Sequence, residues 1–148
     1  MSSNRFPWRV DRALRRAGWH PGRQVGTAVW RSALDLDMHP AAERFLAEFG
    51  GLVLDLYGPG RTAAKEPFEL DPALCAGEEG RFLDWSRLTG RSLYPLGELD
   101  HGRFFLGIDE RSMLYLVIDW LAVFGAGDAG LIALCQGAKA TPVQEQDG

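Results

Sequence analysis

The apolar positions of this chain change from a helical to an alternating spacing within residues 40–57. In the first half they recur three or four residues apart, which predicts an amphipathic helix that begins at Pro40: Ala42, Phe45, Leu46 and Phe49. In the second half they alternate, which predicts a strand with Leu52, Leu54 and Leu56 on one face and Val53, Asp55 and Tyr57 on the other. Gly50 lies between the two, and we expect it to end the helix in the left-handed conformation.

The same two periods predict the remaining elements. Further helices are expected over residues 6–17, 25–36, 81–88 and 128–135, and a helical stretch begins at Pro72. Strands are expected over residues 67–70, 93–96, 103–109 and 113–119, the last two as a hairpin. This order predicts an α+β fold in which helices flank a mainly antiparallel sheet. We expect a single domain over residues 1–148, with a core over residues 5–137 and a disordered tail over residues 138–148.

Composition and charge narrow the class of protein. The chain has 148 residues and a formal net charge of −4, so we expect no direct binding of nucleic acid, which needs basic patches. The acidic balance favours a basic partner. Residues 1–10 lack the apolar segment of a signal peptide, and the most apolar run, residues 113–126, is too short to span a membrane. We therefore expect a cytoplasmic protein in which Cys75 and Cys135 are free thiols.

Residues 125–130, GAGDAG, match the GxGxxG pattern of dinucleotide-binding loops and stand between a strand and a helix. In those proteins the loop opens a βαβ unit, so a second strand should follow the helix. The few residues after Gly130 contain no apolar strand. We therefore interpret the motif as a glycine-rich turn into the last helix and expect no cofactor.

Other catalytic and metal-binding patterns are missing from the sequence. His20, His39 and His101 do not lie at metal-ligand spacing from another histidine, a cysteine or a carboxylate. No serine lies in a GxSxG elbow, and neither a Walker phosphate loop nor the zinc-deaminase pattern is present. We therefore expect no catalytic residues, no metal site and no enzymatic activity.

Two groups of side chains are candidates for contact with a partner. Four acidic residues cluster around the predicted C-terminal strands: Glu98, Asp100, Asp109 and Glu110. They form either a solvated hairpin rim or a patch for a basic partner, with Tyr57 as a possible aromatic contact. Among the tryptophans, Trp19, Trp85 and Trp120 are predicted to lie in the core, whereas Trp8 and Trp30 stay open.

Five strings carry a family resemblance. They are AGWHPGR at residues 17–23, PA at 40–41 with FLAEFGGL at 45–52, LYPLGE at 93–98, LGID at 106–109 with Tyr115, and ALCQG at 133–137. Together they resemble the SUKH superfamily, and within it the third family of bacterial immunity proteins. The chain departs from that family at Arg111-Ser112, where its members usually have a glycine in the hairpin turn.

The resemblance implies an α+β domain without catalytic residues that binds and neutralises a cognate protein toxin by occlusion. Such toxins are typically nucleases or deaminases of polymorphic toxin systems. The matched strings are rich in glycine, proline and aromatic residues, so they do not locate the toxin-binding surface. Two alternatives stay open: a general protein-interaction module with a non-toxin partner, and a small enzyme. A neighbouring toxin gene would favour toxin neutralisation over a general protein-interaction module. A pocket with converging titratable groups would favour a small enzyme.

Overall fold

The computed structural model describes residues 5–143. Within them the helices are α1 (Trp8–Arg16), α2 (Ala28–Ala33), α3 (Pro40–Phe49), α4 (Glu79–Thr89) and α5 (Gly127–Gln136), with a 3₁₀-helix at Pro72–Cys75. The strands are β1 (Val53–Leu54), β2 (Phe68–Glu69), β3 (Tyr94–Leu99), β4 (Phe104–Ile108), β5 (Met113–Val117), β6 (Leu121–Ala126) and β7 (Thr141–Pro142). The predicted α+β class is confirmed.

The seven strands form one antiparallel sheet in which each strand pairs with the next along the chain. The larger apolar cluster joins one face of this sheet to α1, α2, α3 and α5. A smaller cluster lies on the other face, where Phe82 of α4 and Cys75 of the 3₁₀-helix meet Val117 and Leu121. The α4 helix covers only part of its face. The 3₁₀-helix packs on β3, where the Cys75 thiol donates to the Gly97 carbonyl at 3.3 Å, and Val53 and Glu69 at the β1–β2 end of that face are exposed.

The end of α3 is built differently from the prediction. Gly50 has φ −61° and ψ 141°, so the expected left-handed cap is wrong; the left-handed residue is Gly51, with φ +86°. The Arg23 guanidinium instead donates to the carbonyls of Glu48 (2.6 Å) and Gly50 (2.9 Å), which satisfies carbonyls that the helix end leaves without partners. Gly50 is needed for space, because a Cβ there would overlap the Trp30 ring.

Other helix ends agree with the sequence. Asp71 accepts a hydrogen bond from the Ala73 amide at 3.0 Å and so begins the 3₁₀-helix at Pro72. Gly90 after α4 and Gly137 after α5 are left-handed, with φ 69° and 67°. Helix α3 spans the predicted residues, and its N-terminus is capped by His39, whose Nδ1 accepts from the Ala42 amide.

Several predicted boundaries are corrected by tertiary contacts. Helix α2 is shorter than residues 25–36, because the Val25 amide donates to the Ala47 carbonyl of α3 rather than into a helix. Strand β1 pairs over two residues only, since its partner β2 is equally short. Strand β3 continues past Gly97, whose lack of a Cβ admits the Glu69 carbonyl of β2.

The C-terminal part contains two strands that the sequence did not predict. Strand β6 forms a hairpin with β5, closed by a bond from the Ile118 amide to the Trp120 carbonyl. Strand β7 pairs with β6 through Thr141 and Pro142, so the predicted disorder is wrong for this segment. Residues 144–148 lie outside the described residues.

Gly50 supplies a direct test of the α3 junction. We expect Gly50→Ala to lower the free energy of unfolding by roughly 1–3 kcal/mol, because the added Cβ forces the Trp30 ring away from its place in the core. The matched control is Gly26→Ala, where a Cβ would meet nothing within 4 Å. Urea unfolding curves measure both variants, and equal midpoints would contradict a packing role for Gly50.

Candidate partner-binding site

Three neighbouring strands present a row of side chains at the open end of the α4 face. Val53 of β1 pairs with Glu69 of β2, which pairs with Glu98 of β3. Residues directly opposite on antiparallel strands lie on the same face, so the two carboxylates are neighbours. Burial raises the pKa of the Glu98 carboxyl, and the negative charges of Glu69 and Asp71 raise it further. The local field is therefore negative.

The same face continues beyond the strand ends. The Asp100 amide donates to the Pro67 carbonyl at 2.8 Å, which extends the β2–β3 pairing by one position. Asp55 follows Val53 by two residues and so shares its face. Tyr57 is 59% exposed, and the neighbouring carboxylates, Asp55 ahead of Asp100, raise the pKa of its hydroxyl. We name five residues the acidic face: Asp55, Tyr57, Glu69, Glu98 and Asp100.

Three of the predicted contact residues thus lie together: Tyr57, Glu98 and Asp100. The other two lie at the opposite end of the sheet, because β4 runs antiparallel to β3. Leu99 pairs with Phe104, whereas Tyr94 pairs with Ile108, which directly precedes Asp109. Glu110 is exposed there. The four acidic residues do not form one cluster, because closeness in sequence across a hairpin of this length is not closeness in space.

Asp109 holds a turn together and is not available to a partner. Its side chain is buried, with the residue only 1% exposed. One carboxylate oxygen accepts hydrogen bonds from the amides of Arg111 (2.8 Å) and Met113 (3.0 Å), and the other accepts from the Tyr115 hydroxyl (2.7 Å). These bonds close the β4–β5 hairpin, so the expectation of Asp109 as a contact residue is corrected.

Sequence reasoning missed two residues of the acidic face, Asp55 and Glu69. The signal for Asp55 was present, since it alternates with the buried Leu54 and the half-buried Leu56 along the chain. Nothing local indicates that Glu69 stands opposite Glu98, because that contact depends on how β2 and β3 are aligned.

The tip of the β3–β4 hairpin borders the acidic face and has an unusual backbone. Asp100 and His101 are both left-handed, with φ 55° and 54°, and Gly102 follows with φ 85°. Arg103 donates to the Asp100 carboxylate at 3.0 Å and lies over the Phe104 ring. Left-handed non-glycine residues cost free energy and concentrate at functional sites. The tip therefore leaves His101 exposed, with the half-buried Asp100 side chain beside it.

The remaining reactive side chains do not converge. Burial raises the pKa of the Cys75 and Cys135 thiols to about 12, and both cysteines are free. His39 is used in structure, as the cap of α3 and in a 3.3 Å contact from Nε2 to the Ile108 carbonyl. Among residues 5–143 no group of three histidine, cysteine or acidic residues is arranged to hold a metal ion. In the same range, no helix has the length and apolarity needed to cross a bilayer.

The GxGxxG segment is a packing turn between β6 and α5. The strand that follows α5, β7, pairs antiparallel with β6, whereas a dinucleotide-binding unit needs a parallel strand. Gly130 contacts Leu114 of β5 so closely that a Cβ would overlap its side chain. The glycines therefore let α5 lie against the sheet.

Comparison with known families assigns the chain. The family model of the SUKH-3 immunity protein matches residues 6–137. The chain belongs to the SUKH-3 immunity protein family. No curated protein and no solved structure matches it.

The strings that resemble the SUKH-3 family form the scaffold. Trp19 of the first string donates to the Glu48 carboxylate of the second at 3.0 Å, and Arg23 caps the same helix. The LYPLGE string is Leu93 and all of β3 except Leu99, and all of it is buried except the Glu98 position. Glu98 alone of the acidic face lies in a matched string.

The departure from the family at the β4–β5 turn has a structural consequence. Ser112 is left-handed, with φ 69°, which disfavours any residue that has a Cβ. We therefore expect Ser112→Gly to raise the free energy of unfolding by about 1 kcal/mol. Ser112→Ala is the control, because it removes the hydroxyl but keeps the Cβ. Chemical denaturation should show a gain for glycine only, and an equal gain for alanine would mean that the hydroxyl is the cause.

The role of Asp109 in folding, as distinct from binding, can be tested by its effect on stability. We expect Asp109→Ala to lower the free energy of unfolding by at least about 2 kcal/mol, since three donors lose their acceptor. Tyr115→Phe removes only one of these bonds and should cost about 1 kcal/mol. Thermal and urea unfolding measure both. A stable Asp109→Ala protein would show that the buried carboxylate does not hold the turn.

Proposed function

We propose that this SUKH-3 protein binds a cognate bacterial toxin and neutralises it by occlusion, without catalysing a reaction. The family match over residues 6–137 is the observation that carries this proposal. We place the toxin among the nucleases or deaminases of polymorphic toxin systems, and the complex in the bacterial cytoplasm. Nucleic acid then takes no direct part in binding, because the toxin surface that holds it is the surface covered.

The acidic face supports a basic partner of this kind. A toxin that acts on nucleic acid presents positive charge to its substrate. An inhibitor with a negative face is attracted to that surface and associates faster. Asp55, Glu69, Glu98 and Asp100 supply the charge, and Tyr57 supplies an exposed aromatic ring of the kind enriched at binding hot spots.

The backbone of the acidic face is already ordered in the free protein, which favours its use as a contact surface. Three of its residues belong to, or directly follow, paired strands, so their backbone positions are set by the sheet: Glu69, Glu98 and Asp100. A contact surface that is already ordered loses less entropy on binding. Glu69 and Glu98 repel each other in the free protein, and a cation from the toxin would relieve that repulsion.

The function itself is tested with the toxin domain of any polymorphic toxin that a neighbouring gene encodes. Cells that express the domain alone should stop growing, and cells that also express this protein should recover. Purified protein should form a complex with a catalytically inactive form of the domain in size-exclusion chromatography. Growth arrest that this protein does not relieve, with no complex formed, would refute the proposal for that toxin.

Charge reversal tests the role of the acidic face. We expect Glu69→Lys with Glu98→Lys to slow association with the toxin domain about tenfold at low ionic strength and to flatten its salt dependence. The matched control, Asp35→Lys with Asp37→Lys, changes the net charge equally at exposed positions that are not part of the acidic face. Stopped-flow or surface plasmon resonance gives the association rates. Equal rates for the two variants would place the contact elsewhere.

A further inference from the structure

An open cleft lies at the same end of the sheet as the acidic face, but on the other side of the sheet. Its volume is about 520 Å³, and apolar side chains dominate its walls: Leu99, Phe104, Trp120, Phe124, Leu134 and Pro142. Strands β3 to β7, the end of α5 and the segment after β1 each contribute to it. The volume lies within the ordinary range of binding pockets, roughly 300–1,000 Å³, and the walls are of the usual apolar kind.

Trp120 is the prominent side chain of this cleft. Its sequence neighbours predicted a core position, yet 47% of it is exposed, so that prediction is wrong. The reason is the β5–β6 turn, which places Trp120 beyond the ends of these strands, where its ring makes a T-shaped contact with Phe104 at 6.3 Å between ring centroids. Tryptophan at the wall of a partly desolvated pocket is the residue type most enriched among binding hot spots.

Glu66 is the acidic side chain in the wall of the cleft. It is half-buried in the wall, and this burial together with the nearby Asp100 carboxylate raises the pKa of its carboxyl, against a smaller opposite effect of Arg103. Arg103 is already paired with Asp100. Lys139 also lines the cleft, and within the described residues it forms no ion pair with Glu66. A half-buried carboxylate between apolar walls is stabilised by a cation that a partner brings.

The hairpin tip connects the two surfaces. Asp100 belongs to the acidic face and also acts on Glu66 in the cleft, so one basic partner can be attracted to both. Asp100 and His101 turn the chain there in the left-handed conformation, and the Asp100 amide donates to the Pro67 carbonyl at 2.8 Å. A partner that covers the tip from both faces buries more apolar area than one that lies on the acidic face alone.

We propose that the cleft receives an anchoring segment of the toxin, a large apolar or aromatic side chain next to a lysine or arginine whose cation pairs with Glu66. This inference rests on the proposed function and adds the surface and the chemistry of the partner. The cleft is larger than one side chain, so the apolar residue and the stem of its basic neighbour both enter it. The toxin then contacts the β3–β4 hairpin on both faces of the sheet.

Affinity measurements test the anchor. The probe is a catalytically inactive form of the toxin domain that the growth test identifies, titrated calorimetrically. We expect Trp120→Ala to weaken binding by about 30-fold or more, the loss typical of a hot spot. Trp8→Ala is the matched control, since Trp8 is 66% exposed but lies outside the cleft, and its effect should stay below about threefold. Glu66→Gln should weaken binding about tenfold and reduce its salt dependence, because it removes the charge but keeps the shape.

Fluorine NMR tests the Trp120 contact in the unmutated protein, so a loss of folding in a variant does not affect the result. The chain has five tryptophans, and 5-fluorotryptophan labelling gives one resonance for each, with Trp120→Phe and Trp8→Phe as assignments. We expect the toxin domain to shift or broaden the Trp120 resonance and to leave the buried Trp19 and Trp30 resonances in place, which also reports an intact fold.

The possible results separate the two proposals. If the wild-type protein neither binds nor neutralises the toxin domain, the proposed function fails. If it binds, but Trp120→Ala and Trp8→Ala have equal affinity and the Trp120 resonance is unmoved, the function stands and the cleft assignment is wrong. If Trp8→Ala is the variant that loses affinity, the contact lies at α1 and the assignment is likewise overturned. If the Trp120 resonance shifts with protein concentration in the absence of toxin, the occupant is a second copy of this chain.

Discussion

The structure depends on the junction where α3 ends and the first strand begins. Arg23 holds the last carbonyls of α3, Trp30 fills the space that Gly50 leaves bare, and Trp19 donates to the Glu48 carboxylate on the same turn. A guanidinium satisfies polar groups that would otherwise be left without partners near the core, and that penalty is what makes the junction specific. The N-terminal segment, α2 and the sheet are all positioned by contacts to these few residues.

Helices cover only part of the sheet that follows this junction. Helix α4 and the 3₁₀-helix cover one face around β3, β4 and β5, and the α5 helix covers the other around β5 and β6. Toward β1 and the β3–β4 tip the covering stops, and there like charges stand opposite each other on one side while apolar rings remain exposed on the other. Both features cost stability in the free protein, and both would be relieved by a basic, partly apolar partner.

The sequence motifs have structural roles. The GxGxxG string is required because α5 approaches β5 within the space of a side chain, and its glycines have a packing role. The strings shared with the SUKH-3 family likewise concern the scaffold, since Arg23, Glu48 and the buried residues of β3 interact with the chain itself. The acidic face and the cleft are formed mainly by residues outside those strings.

The sequence alone determined the elements whose cause is local. The spacing of Phe45, Leu46 and Phe49 predicted α3, and the same helical spacing predicted α4 and α5 close to their observed bounds. Leu52 and Leu54 were correctly placed on the buried face of β1. Tertiary structure decided the rest: the pairing that makes Thr141–Pro142 a strand, the exposure of Trp120, the burial of Asp109, and the alignment that sets Glu69 against Glu98. The physical reason is that strand register and side-chain burial are properties of pairs of distant segments, and residue periodicity within one segment does not specify which segment it will meet.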